Sequence, residues 1–500
     1  MSKTRKSQKL RKTTKPTKTA ELKKTAEPPK EKQTFQEREL EILREAVDKI
    51  EDNEKKNIAQ SPIISKIIEI LEDFLRKKKL ICYGGTALNN ILPKEDQFYD
   101  KNTEIPDYDF YSSNALEDAK ELADIYYKLG YDDVEAKAGM HVGTFKVQVH
   151  FIPIADITHM ETQLFNAIKK DAININDILY APANLLRLNI YKELSRPKGQ
   201  VERWEKVFKR MLLLDKHYPI KKKKCDSVQF MRDFEGSPEL ADTLYTEVKK
   251  SMIKQGLVFF GGYACSLYEK YIPTTSQHKI NNVPDFDAIA ENPEEAAKNI
   301  KKDLEKKGIK NIKIQQKKGS GEILAPHYEL KVDNNIVCFL YEPLGCHSYN
   351  TITINKEKVK IATIDTMINL LLAFTYVNRP YYDKDRILCM AQYIFYVQSK
   401  NRLHQRELLK RFSDTCIGTE TTLQSIRENR AEKFISLKSK RGTKEYDEYF
   451  LKYAPGEKTK KNKVLAAAAA NASSSASSTK KNKISYKKNK TEKKKWFNIF

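Results

Sequence analysis

The chain has 500 residues, 40% of them hydrophobic, which is enough for two or three domains with their own cores. Its formal net charge of +24 favours a polyanionic partner, but the distribution of this charge matters more than its size. Most of this charge lies at the ends, with 12 Lys/Arg against three Glu in residues 1–33 and 13 Lys against two Glu in residues 457–500. The body carries only about +4, so a polyanion path over it must be a local patch. The run 221–224 is one candidate, and an ordinary solvated turn is the alternative.

The cysteines and the hydropathy pattern exclude several classes of protein. The seven cysteines are scattered, odd in number and without a C-x-x-C pair, so we expect neither a disulfide framework nor a zinc site. A reducing compartment fits this pattern best. The longest strongly apolar run, 368–377, is too short to cross a bilayer, and the N-terminus lacks the apolar stretch of a signal peptide. We therefore expect a protein that is neither secreted nor membrane-spanning.

Composition divides the chain into four parts. The predicted parts are a basic tail (1–35), a first module (36–220), a second module (221–455) and a low-complexity basic tail (456–500). The tails lack the apolar residues needed to offset the entropy of ordering, so we expect both to be disordered. The final apolar residues, 496–500, are either a docking segment or a frayed end.

Predicted elements follow one another in a regular order. Periodicity and turn residues indicate a helix over 61–78, a short strand over 80–83, a helix beginning at Gly84-Gly85, a strand over 105–112, a helix over 115–130, strands within 141–158, and helices over 182–194 and 203–218. Strand, glycine turn, helix and mixed strands together predict an α/β (α+β) fold with a mixed sheet and helical additions.

The second half of the chain repeats the first. KKLICYGGTALNNILP (78–93) matches QGLVFFGGYACSLYEKYIP (255–273), and IPDYDFYS (105–112) matches VPDFDAIA (283–290). The second glycine precedes the first aspartate by 22 residues in one copy and 23 in the other. A nearly constant spacing predicts two tandem modules.

Gly84 and Gly85 lie between a predicted strand and helix. Such a turn presents bare N–H groups at a helix N-terminus, which suits a triphosphate, although Gly-Gly turns are also common without a ligand. Thr86 is predicted either to donate its hydroxyl to the same phosphates or to cap the helix.

Asp107 and Asp109 are two residues apart on a strand, so both carboxylates project from one face. Two anions that close need a cation or a proton, and oxygen ligands suit Mg²⁺ or Mn²⁺. Solvated acids at a strand end are the alternative, but the neighbours Tyr108 and Phe110 indicate a buried strand, where free acids are costly.

Asp156 is predicted to end a strand that lies beside the one carrying Asp107 and Asp109. A third carboxylate is what two-metal chemistry requires, in which the ions activate a hydroxyl and neutralise a leaving phosphate group. A simple turn residue is the alternative. Together these residues predict a catalytic and metal-binding set of Asp107, Asp109 and Asp156.

This combination resembles the polymerase-β-like nucleotidyltransferase superfamily, whose pattern is a helix-opening glycine pair, a D-x-D and a third Asp. The duplication, with LYAPANLLRLNIYKELSRP and RWEKVFKR, is similar to the poly(A) polymerase catalytic subunits of large cytoplasmic DNA viruses, nearest to the mimivirus-like group and related to those of poxviruses and asfarviruses. The resemblance covers roughly residues 60–400. It implies template-independent addition of AMP from ATP to mRNA 3′ ends, with Mg²⁺ or Mn²⁺.

The resemblance also implies a single-stranded RNA 3′ end as partner, and a location in the host cytoplasm at the viral factory, with packaging in the virion as an option. A homodimer and a viral processivity partner are both open. Among helical residues, Asn189, Lys192 and Arg196 are candidates to face the nucleotide, with Lys192 on a phosphate, and a solvated helix face is the alternative. Trp204 and Tyr381-Tyr382 are candidates for base stacking, or else core residues.

The second copy departs from the pattern. It keeps Gly261-Gly262 and Asp285-x-Asp287, but the position over Asp156 falls near Leu344, with Glu342 the nearest acid. Asp333 is another nearby acid, but its surroundings predict a hairpin turn. Without a third ligand, we expect the second module to be inactive and structural, with RNA binding or dimerisation as further roles that stay open.

Two other functions remain open. One is a non-catalytic RNA-binding scaffold of decayed modules, which the complete carboxylate set of the first copy disfavours. The other is a nucleotidyltransferase with a different NTP or RNA substrate, since no residue in the sequence fixes the base.

Overall fold

A computed structural model describes residues 34–100, 104–220, 225, 228–273 and 283–456. The predicted disordered tails, the 221–224 patch and the apolar C-terminal residues 496–500 lie largely or wholly outside these ranges. The chain divides into two compact units at Ile58/Ala59.

The first unit is described by the helix α1 (Phe35–Ala59). A capping box begins it, because Thr34 Oγ1 accepts from the Glu37 backbone and the Glu37 carboxylate accepts from the Thr34 backbone. Leu40, Leu43 and Val47 repeat at helical spacing along its length.

The second unit contains two sheets, each of eight strands. The strands of the first sheet are β1 (Ile81–Tyr83), β2 (Tyr108–Ser112), β3 (Glu135–Ala138), β4 (Thr144–Val149), β5 (Ile152–His159), β6 (Ile173–Ile175), β7 (Ile178–Tyr180) and β16 (Lys452–Tyr453). Their spatial order is β16-β3-β4-β5-β2-β1-β7-β6. The accompanying helices are α2 (Pro62–Lys78), α3 (Gly84–Ile91), α4 (Ala115–Lys128), α5 (Thr162–Lys170), α6 (Ala183–Leu194) and α7 (Trp204–His217).

The second sheet repeats this plan. Its strands are β8 (Val258–Phe260), β9 (Phe286–Ile289), β10 (Ile312–Lys317), β11 (His327–Val332), β12 (Asn335–Tyr341), β13 (His347–Ile354), β14 (Glu357–Ala362) and β15 (Cys416–Ile417). Their order is β10-β11-β12-β9-β8-β14-β13-β15, so seven consecutive strands correspond to those of the first sheet. The helices are α8 (Pro238–Lys254), α9 (Gly261–Leu267), α10 (Pro293–Lys306), α11 (Ile364–Phe374) and α12 (Lys384–Lys400). The predicted α/β fold with two tandem mixed-sheet modules is confirmed.

Alternation explains why these segments form sheets. Along β4 and β5, apolar side chains such as Phe145, Val147 and Ile157 are fully buried, whereas Lys146 and Asp156 on the other face are only partly buried. The apolar face packs on α4. The polar face is left free to carry a site.

The end of the chain returns to the first module. After α13 (Leu423–Leu437) and α14 (Lys444–Phe450), β16 pairs with β3 at the edge of the first sheet. The range predicted for the second module, 221–455, therefore includes a segment that completes the first. Two-residue strands have too little pattern to be recognised in the sequence.

The expectation of no disulfides is wrong. Cys225 pairs with Cys389, and Cys346 pairs with Cys416, across 164 and 70 residues of chain. Partners that distant leave no spacing signal, so the scattered pattern hides them. The prediction of a reducing compartment rested on their absence and loses that support. The cysteines at 82, 265 and 338 are buried thiols.

No helix within the described ranges is long and apolar enough to span a membrane.

Candidate active site

The three predicted carboxylates of the first module meet on one face of its sheet. Strand β2 lies parallel to β5, and Asp109 is directly opposite Asp156. Asp107 lies just before β2, two residues from Asp109 on the same side. Asp156 does not end its strand as predicted, because β5 continues to His159 and Asp156 is an interior residue.

The glycine turn lies against these carboxylates. Gly84 begins α3 with a φ of +74°, and a Cβ at this position would overlap the carboxylate of Asp109. Both the backbone conformation and the contact therefore require glycine. The turn places the first N–H groups of α3 beside Asp109.

Burial and neighbouring anions make Asp109 hard to ionise. Burial, followed by the charges of Asp107 and Asp156, raises the pKa of Asp109 to about 7, while Lys146 and Arg203 oppose the change. The pKa of Asp107 is also raised, by desolvation first and by the charge of Asp156 second. The site therefore favours a bound cation.

Lys146 is a site residue that the sequence analysis missed. It lies opposite Asp156 across the β4–β5 hairpin, and its Nζ is 2.6 Å from Asp156 Oδ2. A bulge at Val147/Gln148 shifts the register by one, so counting back from the turn does not align these two residues. A single lysine compensates only part of the charge of three carboxylates.

Arg210 is a second missed residue, and it lies over the glycine turn. A Cβ on Gly85 would be 3.1 Å from Arg210 Nη1 and 2.6 Å from Tyr99 Oη. Arg210 is held there by a 2.6 Å hydrogen bond from Nη2 to that hydroxyl and by contact with the Phe98 ring, 4.7 Å away. The basic helix RWEKVFKR is the signal that contained it.

Two of the predicted nucleotide ligands have partners within the protein. Thr86 donates its hydroxyl to the Asp107 carbonyl at 2.6 Å, so it holds α3 to the start of β2 and does not cap the helix. Lys192 forms a 2.5 Å ion pair with Glu322 of the second module. Asn189 lies beside the Tyr111 hydroxyl.

The other polar and aromatic candidates make structural contacts. Arg196 joins the modules through Glu420 and the Leu344 carbonyl, each at 3.1 Å. Trp204 Nε1 donates to the Glu193 carbonyl. Tyr382 stacks on Phe374 with ring centroids 4.6 Å apart. These contacts match the core alternative for Trp204 and Tyr382.

The second module keeps the backbone of this site and fills it with arginine. Gly261 repeats the positive φ, at +72°, against Asp287. The guanidinium of Arg232 forms an ion pair with Asp285. The backbone N–H of Arg232 also donates to this carboxylate, at 2.7 Å. Arg386 Nη1 is 3.7 Å from Asp285 Oδ2. Two cations of the protein itself therefore neutralise the second D-x-D.

The counterpart of Asp156 is Phe339, not a residue near Leu344 or Glu342. Asp287 pairs with Phe339 as Asp109 pairs with Asp156. The sequence comparison matched part of β4 to β12, because both are apolar runs, and so displaced the register. Arg232 lies 4.3 Å from the centre of the Phe339 ring. Asp333 is confirmed as a turn residue, with a φ of 51° between β11 and β12.

Comparisons with known proteins agree with this arrangement. A family model described as "Poly(A) polymerase catalytic subunit" matches residues 69–200, the part that contains the carboxylates and α6. The predicted resemblance to viral poly(A) polymerase catalytic subunits is confirmed. The predicted enzyme class, nucleotidyltransferase, is confirmed with it.

Individual relatives come from large DNA viruses. A putative poly(A) polymerase catalytic subunit of Acanthamoeba polyphaga mimivirus is 26% identical over 453 residues, covering 80% of this chain and 74% of the relative. That of African swine fever virus (strain Badajoz 1971 Vero-adapted) is 34% identical over 170 residues, covering 33% of this chain and 36% of the relative.

The crystal structure of the Megavirus polyadenylate synthase shares the fold. It superposes with a TM-score of 0.69 at 20% identity, over 89% of this chain and 92% of that chain. At this identity the likeness concerns the fold alone.

Proposed function

We propose that this chain adds AMP from ATP to mRNA 3′ ends without a template, in its first module. The observation that carries the proposal is the meeting of Asp109 and Asp156 on adjacent strands, with Asp107 two residues away, beside the Gly84 turn. The names of the relatives support RNA and ATP as substrates.

The first site suits divalent metal ions. Within the described ranges, no group of three acidic, His or Cys side chains is already arranged around an ion position. The donor set nevertheless fits, because Asp107, Asp109 and Asp156 offer only oxygen and carry more negative charge than Lys146 balances. Mg²⁺ or Mn²⁺ held by these residues would activate the RNA 3′-hydroxyl and neutralise the triphosphate.

The chain's own groups position the nucleotide. The glycine turn lies against Asp109 at Gly84 and against Arg210 at Gly85, and its N–H groups and this guanidinium would bind triphosphate oxygens. Lys192 reaches a phosphate once it leaves Glu322. Lys146 orients Asp156 and compensates its charge before metal binds.

The second module has a structural role in this proposal. Phe339 replaces the third carboxylate, and Arg232 fills the space between Phe339 and Asp285. In addition, Met231 Sδ would be 2.5 Å from a Cβ on Gly262, so the segment before α8 covers the second glycine turn. These contacts support a second module that does not bind a nucleoside triphosphate.

A labelled oligoribonucleotide tests the activity when it is incubated with purified protein, Mg²⁺ or Mn²⁺, and each NTP separately. We expect extension with ATP. Extension with another NTP would favour the alternative substrate, and no extension with any NTP would leave only the scaffold function. Homodimerisation, a processivity partner, the host cytoplasm and packaging in the virion remain predictions.

A further inference from the structure

A cleft of about 340 Å³ opens on the second sheet, on the face that carries Asp287 and Phe339. The residues that line it are Lys317, Glu329, Lys331, Ile336, Arg379, Pro380 and Tyr381. The first module has no part in it. Its volume lies within the range of small-ligand sites.

A buried carboxylate forms the base of this cleft. Glu329 is only 1% exposed, and its oxygens lie 3.7 Å from Lys317 Nζ and 3.4 Å from Lys331 Nζ. Neither oxygen has a hydrogen bond of good geometry among the described residues, although the Tyr381 hydroxyl lies close to this carboxylate. The carboxylate thus holds the two ammonium groups in place by charge, and the described part of the chain shows no other hydrogen-bond acceptor for either of them.

Tyr381 is a fixed wall of the cleft. His327 Nδ1 lies 3.1 Å from the Ala325 carbonyl, which can only accept, so Nδ1 carries the proton. His327 Nε2 then accepts from the Tyr381 hydroxyl at 3.0 Å. Burial first, and then the charge of Glu329, raise the pKa of Tyr381, so its hydroxyl stays protonated beside both His327 and Glu329.

The cleft has an excess of donors and positive charge. Each lysine carries three N–H donors and arginine carries five, and Arg379 uses one nitrogen, Nη2, on the Lys318 carbonyl. Its Nε is buried and unpaired within the described chain. Three cations surround one carboxylate, so a ligand must bring negative charge and acceptor atoms. Phosphate provides both.

The cations continue beyond the cleft along an open edge. Lys313 lies opposite Lys331, and β10 is the last strand of the sheet. Lys313 and Lys317 are four residues apart on one face, about 13 Å along an extended strand. A row of that length exceeds a single phosphate group and matches an extended chain of phosphates.

We propose that this cleft and the adjoining Lys313 bind the phosphate backbone of RNA, so that the second module also holds the polynucleotide. The inference rests on the proposed function in taking RNA as the polyanion. RNA would then bind to a module in which Arg232 and Arg386 already neutralise the D-x-D.

The test measures the affinity of a fluorescent oligoribonucleotide for the full chain without nucleotide, over a range of salt concentrations. Lys313→Glu and the double variant Lys317→Gln/Lys331→Gln should bind more weakly, with the log-log salt slope smaller by about 0.7 for each phosphate that is no longer neutralised. Lys298→Gln/Lys301→Gln is the matched control, because α10 packs on the opposite face through Tyr328 and Glu294. It should retain the original affinity and slope.

Thermal melting separates binding from folding. Lys313 is exposed, so Lys313→Glu keeps the proposal testable if the double variant unfolds around Glu329. Equal RNA affinity in the cleft variants and the control would overturn the proposal. If the cleft variants lost affinity for pyrophosphate but kept their affinity for RNA, the cleft would be a small-anion site instead. Binding measured in the Asp107→Ala/Asp109→Ala background makes the result independent of whether the chain extends RNA.

Discussion

Asp109 is the residue whose chemistry the fold perturbs most clearly in the first site. Its pKa is raised from 3.8 to about 7, so the folded chain holds this proton more tightly than the unfolded chain does. Folding without metal is therefore favoured at low pH, and the stabilisation is lost as pH rises from about 4 through 7.

Asp109→Asn removes this dependence. At pH 8 without metal, the variant should melt at a higher temperature than the wild type, and the difference should shrink as pH falls toward 4. Mg²⁺ should raise the melting temperature of the wild type more than that of the variant. A pH-independent difference between them would contradict the raised pKa.

The ion pair between Arg232 and Asp285 occupies the second D-x-D, and its removal tests the role of this site. Asp285→Ala should leave RNA extension nearly intact but lower stability by about 3–5 kcal/mol, because Arg232 and Arg386 are left without their buried partner. Urea unfolding gives the stability, and primer extension gives the activity. Adding Arg232→Met to Asp285→Ala should recover part of the stability. A fall in extension as severe as that of Asp107→Ala would instead assign catalysis to the second site.

At the scale of elements, the strand-glycine-helix unit occurs twice with one geometry and different consequences. Gly84→Ala and Gly261→Ala each force a side chain into positive φ and against an aspartate. Each should cost at least about 1–2 kcal/mol. When the rate of RNA extension is expressed per mole of folded protein, only the Gly84→Ala variant should lose activity. Equal losses of extension would show that the turn acts through stability alone.

Local pattern predicted most elements, because buried apolar residues recur with the strand period or the helix period along them. The helix at α2, the turn at Gly84 and the pairing of Asp109 beside Asp156 all follow from periodicity and spacing. The bulge at Val147 concealed Lys146, and similar apolar runs displaced the expected counterpart of Asp156 from Phe339. Registers between strands depend on turns and bulges, which one sequence does not define.

Contacts between distant segments could not be predicted. Arg232 reaches Asp285 from a segment before α8, and Cys225 pairs with Cys389 164 residues away. Neither leaves a periodic signal. The same holds for Glu322, which reaches Lys192 from the other module.

At the scale of the whole molecule, positive charge is concentrated at the ends of the chain. Removing 457–500 deletes 13 Lys and two Glu, so RNA affinity should fall, most strongly at low salt. Extension of a short primer at saturating concentration should change little. Fluorescence anisotropy across salt concentrations measures the affinity. An unchanged affinity would leave nuclear targeting or solubility as the role of this tail.

The two modules share a sheet order but differ at the position of the third carboxylate, which is Asp156 in the first module and Phe339 in the second. In the proposed function, only the first module is catalytic. A comparison of Asp109→Asn with Asp287→Asn, isosteric changes at equivalent positions, tests this in single-turnover addition of AMP with Mg²⁺. We predict a loss of at least about a hundredfold for Asp109→Asn, as expected when transition-state charge loses its stabilisation. The Asp287→Asn variant should match the wild type, and equal losses in both variants would contradict the account.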